Sequence, residues 1–332
     1  MKHEFDGSLT PDLSWEQRYW LVSALRLQLR GGDYPYGMRN RFKAVNELAN
    51  RLAFYVNSHC PDGKQLDPGR VLEILAVKGS VESLLIEDPF RKYSLWVQLM
   101  ADPWFTFMNY GYYSDDYEKY PIRLVGVERN WKFAAQFYHR VANQVDLKAK
   151  DVLEVGSGRG GGAAFVSRRF KPRIMVGLDG TQSNTLFCRS IHQTPRLHFV
   201  AGRAEKLPFV NGSFDVVLNI ESLTYYRPLG AFLSGVHRVL RPNGAFLVAI
   251  YGSFNKMFKI RQKILNAGFS LVRQEDVSTN VRTAIALFKR DHLPRIIREN
   301  KTLVSKSVYE AFFLEAYSVD TRFYYCFAFR KI

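Results

Sequence analysis

The stretch DVLEVGSGRGGGAAF, residues 151–165, decides the fold. A short apolar, β-rich run ends at Glu154, five glycines then fall within residues 154–162, and a helical pattern follows. Glycines where a strand gives way to a helix let backbone N–H groups approach a ligand at a helix N-terminus. Gly156, Gly158 and Gly161 satisfy G-x-G-x-x-G, the dinucleotide spacing. Nucleoside triphosphates and S-adenosylmethionine are held by glycine-rich turns as well, so the loop alone names no ligand.

Outward from the loop, DVLEV, RIMVGL, LHFVAG, FDVVLNI and AFLVAI alternate with helical stretches. That rhythm predicts a mostly parallel sheet with helices on both faces. The terminal TRFYYCFAFRK reads as a last, antiparallel strand at or near an edge. The glycines then lie at the carboxyl end of the sheet, where open α/β folds bind ligands. Asp179 ends the second strand at the spacing where a carboxylate accepts both ribose hydroxyls, which suits NAD and S-adenosylmethionine alike. No G-K-[S/T] follows the loop, which excludes a P-loop. Glu154 would repel a pyrophosphate and suits a ligand bearing an ammonium and a sulfonium.

Three further motifs follow in order: GRAEKLPF (202–209), SFDVVLNIES (213–222) and VLRPNG (239–244). With FMNYGYY (107–113), VLEVGSGRGGGAAF (152–165) and FCRSIHQTPRLHFVAGRAEKLPF (187–209), residues 105 to 250 resemble the class I S-adenosylmethionine-dependent methyltransferases. More narrowly they resemble the phthiotriol-dimycocerosate type, small-molecule and lipid O-methyltransferases of natural-product pathways. The resemblance implies a doubly wound α/β fold, a seven-stranded, mostly parallel Rossmann-like sheet with an antiparallel final strand. It implies that Glu154, Gly156 and Gly158 line the methionine end of the cofactor and that Asp179 holds the ribose. Ala204 and Glu205 would border the adenine, Asn219 and Ile220 would back the sulfonium, and Tyr110 and Tyr112 would form an aromatic lid.

Three positions depart from the family pattern. Arg203 stands where an aspartate is common, Arg159 replaces a His or Cys in the loop, and Thr224 replaces the histidine that would serve as general base. Glu221, Tyr225 and His139 are the remaining candidate bases. His192, His198 and His237 read as structural. The expected function is methyl transfer to an oxygen of a small-molecule or lipid-like acceptor. The alternative is a methyltransferase-like protein without methyl transfer, such as a cyclase using the cofactor structurally or a non-catalytic partner subunit.

The domains expected are a helical N-terminal extension over 1–105 and a methyltransferase domain over 106–332, with substrate lid elements at 106–145 and 251–310. In the extension, Ser14 and Gln17 form a capping-box pattern before a helix ended by Gly31. Phe42, Val45, Leu48, Leu52 and Val56 recur at helical spacing. Asp67-Pro68 starts another helix facing inward through Val71, Leu72, Leu75 and Val77. Residues 122–145 carry a helical pattern of their own.

Across its 332 residues the chain carries a net charge of +16. Residues 252–310 hold twelve Lys/Arg against five Asp/Glu. Without a nucleic-acid module, no specific nucleic-acid partner is expected; a functional reading of the basic stretch is docking of a carrier-bound acceptor or of an anionic lipid surface. Cys60, Cys188 and Cys326 stand far apart, so neither disulfides nor a metal site are expected. MKHEFDGSLTPDLSWEQ has no apolar core of a signal segment, and no apolar run nears the roughly 18 residues of a membrane span. The expected location is cytoplasmic, with a peripheral membrane association the variant the basic stretch allows.

Overall fold

The computed structural model describes residues 105–292 and 323–332 without a break, together with 17, 21, 49–50, 52–54, 56–58 and 65–76. The chain divides into two compact units. One comprises Met1–Asp102 and Leu293–Ala316, the other Pro103–His292 and Tyr317–Ile332.

The larger unit is built on one seven-stranded sheet of order β3-β2-β1-β4-β5-β7-β6. Its strands are β1 (Asp151–Val155), β2 (Ile174–Asp179), β3 (Leu197–Ala201), β4 (Phe214–Ile220), β5 (Leu240–Gly252), β6 (Phe269–Asp276) and β7 (Phe323–Lys331). The pairings from β3 through β5 are parallel, while β7 runs antiparallel between β5 and β6. Every residue of β1 is buried, as a central strand covered on both faces requires. Strand side chains alternate between faces. Leu153 and Val155 join a cluster with Phe232, Val236, Met257 and Ile260. Those partners lie on helices Leu229–Val239 and Phe254–Asn266. Glu154, between the two, therefore projects to the opposite face.

On that opposite face lie Lys132–Ala142 (α2, counting Pro68–Ala76 of the smaller unit as α1) and Gly161–Phe170 (α3), packed on each other. The expected helix over 122–145 is divided: a tight turn spans Gly126–Trp131 before α2 begins at Lys132. The sixth strand, β6, went unplaced in the sequence, because most of its side chains face solvent and only Phe269 is buried. His198 is exposed on β3, whereas His192 and His237 are half-buried.

In the smaller unit, α1 starts where Asp67-Pro68 predicts, with Asp67 Oδ1 accepting from the N–H groups of Gly69 (2.8 Å) and Arg70 (3.3 Å). Leu21, Leu52, Val56 and Val71 are buried, and Leu72 is half-buried. Ser14, Gly31, Phe42, Val45, Leu48, Val77 and the side chain of Leu75 fall outside the described residues. Among the described residues no helix is long and apolar enough to cross a membrane.

Candidate active site

The site begins where β1 runs into the glycine loop. Gly156 has φ 79°, and a Cβ there would fall 2.3 Å from Ser222 Oγ and 2.6 Å from the Tyr226 hydroxyl. The loop therefore lies flush against the end of β4. Gly158 donates its N–H to Asp179 Oδ2 at 2.9 Å, while Asp179 Oδ1 accepts from Thr181 N (2.9 Å) and Asn184 Nδ2 (3.1 Å). Burial raises the Asp179 carboxyl above its ordinary range, and these N–H groups oppose the rise.

Glu154 is fully buried. Its Oε1 accepts the Tyr138 hydroxyl at 2.6 Å, and its Oε2 has no hydrogen-bond partner among the described residues. Burial pushes its carboxyl up to about 8; the Tyr138 hydroxyl pulls it down, and the Asp179 charge adds to the rise. Ser157 Oγ and Asn219 Oδ1 are likewise buried without partners among the described residues. A buried orphan of this kind costs about 1–3 kcal/mol. A ligand bringing an ammonium group and hydroxyl donors would satisfy such a set, so the residues present fit S-adenosylmethionine.

Asn219 places Nδ2 within 2.8 Å of Val155 O and 2.9 Å of Ser222 Oγ. Ile220 is buried beside it, paired with Ala249 of β5. Ala204 is buried, and Glu205 accepts the Arg227 N–H at 3.1 Å. Arg203 turns to the surface and pairs with Glu205 at 3.3 Å. Arg159 is buried and held by neighbouring groups: its Nε donates to Phe105 O at 2.5 Å, and its guanidinium stacks 3.5 Å from the Phe187 ring centroid. With Gly161 N donating to Thr106 O at 3.0 Å, residues 105–107 are stitched onto the loop and the start of α3.

Beyond that strap the two expected lid tyrosines part company. Tyr110 offers its N–H to Glu221, at 3.3 Å from each carboxylate oxygen. Its ring meets Tyr251 and Tyr324 edge to face, with centroids 5.3 and 5.8 Å apart. Tyr112 is buried instead against α2, stacked on Phe137.

Of the candidate bases, Glu221 is buried at the end of β4 with φ 58°, and burial pushes its carboxyl up to about 8 against the Tyr110 N–H. Tyr225 is exposed, its hydroxyl 3.0 Å from that of Tyr251. His139 is not gathered with them. It packs on Phe170, with Nδ1 2.9 Å from the Tyr117 hydroxyl. Burial, Arg169 and Arg140 push its pKa down to about 4. Sequence reasoning missed Tyr138, Tyr251 and Tyr324. The aromatic crowding of the final strand was the one signal for Tyr324, and Tyr138 carried none.

Residues 153–248 match the model of a family described as a methyltransferase domain. Over 219 residues the chain is 36% identical to the phthiotriol/phenolphthiotriol dimycocerosates methyltransferase of Mycobacterium leprae, covering 63% of this chain and 80% of that protein. Over 142 residues it is 44% identical to the fatty-acid O-methyltransferase of Mycolicibacterium smegmatis, 43% of this chain and 51% of that one. It thus spans about half the length of the fatty-acid enzyme. A putative sarcosine dimethylglycine methyltransferase from Galdieria sulphuraria superposes with a TM-score of 0.53 at 13% identity, over 68% of this chain and 92% of that one, a likeness of fold.

Proposed function

Since the chain belongs to the family of the phthiotriol/phenolphthiotriol dimycocerosates methyltransferases, S-adenosylmethionine-dependent enzymes, we propose that it moves the methyl group to an oxygen of a lipid-like acceptor. The observation that carries the choice of acceptor atom is Glu221, a buried carboxyl at the carboxyl edge of the sheet that accepts the backbone N–H of Tyr110, whose ring meets that of Tyr251 edge to face. Such surroundings suit a long apolar molecule whose polar end meets a single base. The named activities of the relatives, on fatty acids and on phthiotriols, point the same way.

Bound S-adenosylmethionine supplies an electrophilic methyl group on a sulfonium. The chain's own residues bind and orient. Glu154 takes the ammonium group on its unpartnered oxygen and Asp179 the ribose. Ala204 and Glu205 border the adenine, Asn219 and Ile220 back the sulfonium, and Tyr110 closes over the site. Glu221, once ionised, accepts the proton of an acceptor hydroxyl; a carboxyl poised near 8 is matched to that task near neutral pH. Much of the rate in an in-line displacement comes from holding the acceptor in place, and the tyrosine rings serve that end by excluding water. His139, held among Tyr117 and Phe170, contributes to packing. The alternative without methyl transfer is not favoured, since the named relatives are methyltransferases.

The helix Phe254–Asn266 carries four Lys/Arg and no acid and leaves Phe254 and Phe258 exposed, which supports delivery of the acceptor from an anionic surface. The test is calorimetry with S-adenosylmethionine, followed by mass spectrometry of a long-chain fatty acid, a long-chain diol and a short alcohol, each free and in anionic vesicles. A methyl ester or ether on a long-chain acceptor is expected. Cofactor binding with methylation of amines alone would overturn the reading.

A further inference from the structure

Tyr138 stands outside every motif of the loop, yet the loop is shaped around it. Its ring lies across the first turn of α3, where a Cβ on Gly162 would fall 1.7 Å from Tyr138 Cζ and 2.0 and 2.3 Å from its two Cε atoms. No side chain is compatible with that approach, so the last glycine of GRGGG serves the ring and leaves the ligand to the earlier ones. Phe107, from the strap over the loop, meets the ring edge to face at 5.9 Å. The hydroxyl arrives 2.6 Å from Glu154 Oε1, with both side chains buried. Shape alone would be served equally well by phenylalanine. What the hydroxyl adds is a donor to one oxygen of a fully buried carboxyl whose other oxygen has no partner among the described residues.

We propose that Tyr138 is a positioning residue of the cofactor site, clamping Glu154 Oε1 so that Oε2 is presented to the ammonium group of the bound cofactor. The clamp acts in two ways. It fixes the carboxyl's rotation, so that the free oxygen points in one direction. It also favours the ionised form, since a hydrogen bond donated to a carboxylate stabilises its charge. The cationic ligand needs that form, while burial and the neighbouring Asp179 oppose it. The loop's affinity is in this way set from α2, an element outside the glycine motif.

The proposal rests on the reading that Glu154 holds the methionine end, and the experiment separates the two. The affinity of the intact chain for S-adenosylhomocysteine, which keeps the ammonium group, is measured by calorimetry between pH 6 and pH 9 in the parent, Tyr138→Phe, Glu154→Gln and the double variant. In the parent, affinity rises with pH toward about 8, because Glu154 must lose a proton to bind a cation. Tyr138→Phe is expected to weaken binding at neutral pH by about tenfold, the loss of one charged hydrogen bond. It should also move the midpoint to higher pH, so that the deficit shrinks at pH 9. In the Glu154→Gln background the Tyr138 change should have little further effect.

A Tyr138→Phe profile with the parent's midpoint, or a deficit equal at every pH, would assign Tyr138 to packing and overturn the proposal. Glu154→Gln binding as tightly as the parent would instead overturn the Glu154 reading beneath it. Tyr138→Met, which keeps a buried apolar side chain but no donor, is a second route to the same upward midpoint shift should Tyr138→Phe not fold.

Discussion

The backbone N–H of Tyr110 lies 3.3 Å from each carboxylate oxygen of Glu221, whose own backbone is held at φ 58°. A left-handed conformation costs a non-glycine residue roughly 1–2 kcal/mol, and such outliers gather at functional sites. Here the turn directs the carboxyl away from the line of β4 and onto the segment carrying FMNYGYY. One side chain thus joins the end of the sheet to the strap over the loop.

Glu221→Gln keeps an acceptor for the Tyr110 N–H but removes the base. Turnover is expected to fall by about 10²–10⁴, the usual worth of a general base, while cofactor affinity stays near the parent value. The parent's rate should climb with pH and level off above about 8, where Glu221 is ionised; the variant should lack that step. Initial rates at saturating cofactor across pH 6–9 check both. A variant with the parent's rate and profile would remove Glu221 from the chemistry.

Stability without cofactor should fall as pH rises from about 6.5 to 8. Glu154 and Glu221 have folded pKa values near 8 against an ordinary 4.5. Through that window the folded state therefore binds protons that the unfolded state has lost. The linkage slope is then negative, up to about 1.4 kcal/mol per pH unit for each group. His139, pushed down to about 4 from 6.5, works oppositely, and because an unfolded imidazole is still half protonated at 6.5 it tempers the fall only over the first part of the window. Urea midpoints at pH 6.5, 7.25 and 8 measure the slope. Glu154→Gln and Glu221→Gln should each flatten it, and an unchanged slope in both would refute the assignment.

Asp179 carries two duties that substitution can separate. Asp179→Ala loses the ribose acceptor together with the bonds to Gly158, Thr181 and Asn184. Asp179→Asn keeps one acceptor oxygen and puts an amide donor where the other stood. Cofactor affinity should drop by at least about tenfold in the alanine variant, a charged hydrogen bond's worth, and by less in the asparagine variant. Equal binding by Asp179→Ala and the parent in a calorimeter would remove Asp179 from the ribose site.

What the sequence made legible follows the physics of burial. The strands β1, β2, β4 and β5 are covered on both faces and read as apolar runs, so the sheet and the carboxyl-edge position of the loop could be inferred. Strand β6 pairs only with β7 and exposes most of its side chains, so FSLVRQED carries no strand alternation. The direction of Arg159 was equally hidden. The same letter could face a sulfonium or the carbonyl of Phe105, and only the strap's position decides between them. Tyr138 and Glu154 are 16 residues apart and meet through the packing of α2 on α3, a contact no local pattern encodes.

Gly156 offers the sharpest test of how tightly the loop is seated. At φ 79° an added Cβ is strained whatever its surroundings, and here it would also meet the hydroxyls of Ser222 and Tyr226 at 2.3 and 2.6 Å. Backbone strain of about 1–2 kcal/mol and overpacking of about 1–3 kcal/mol together predict that Gly156→Ala destabilises the chain by roughly 2–5 kcal/mol. The two parts can be told apart. Ser222→Gly combined with Tyr226→Phe removes the obstructing atoms but leaves φ as it is. In that background Gly156→Ala should cost only the backbone share. Chemical denaturation of the four proteins closes this double-mutant cycle. If Gly156→Ala costs as much with the obstruction gone as with it present, the loop does not sit against Ser222 and Tyr226 as described, and the placement of Glu154 two residues earlier would have to be reconsidered with it.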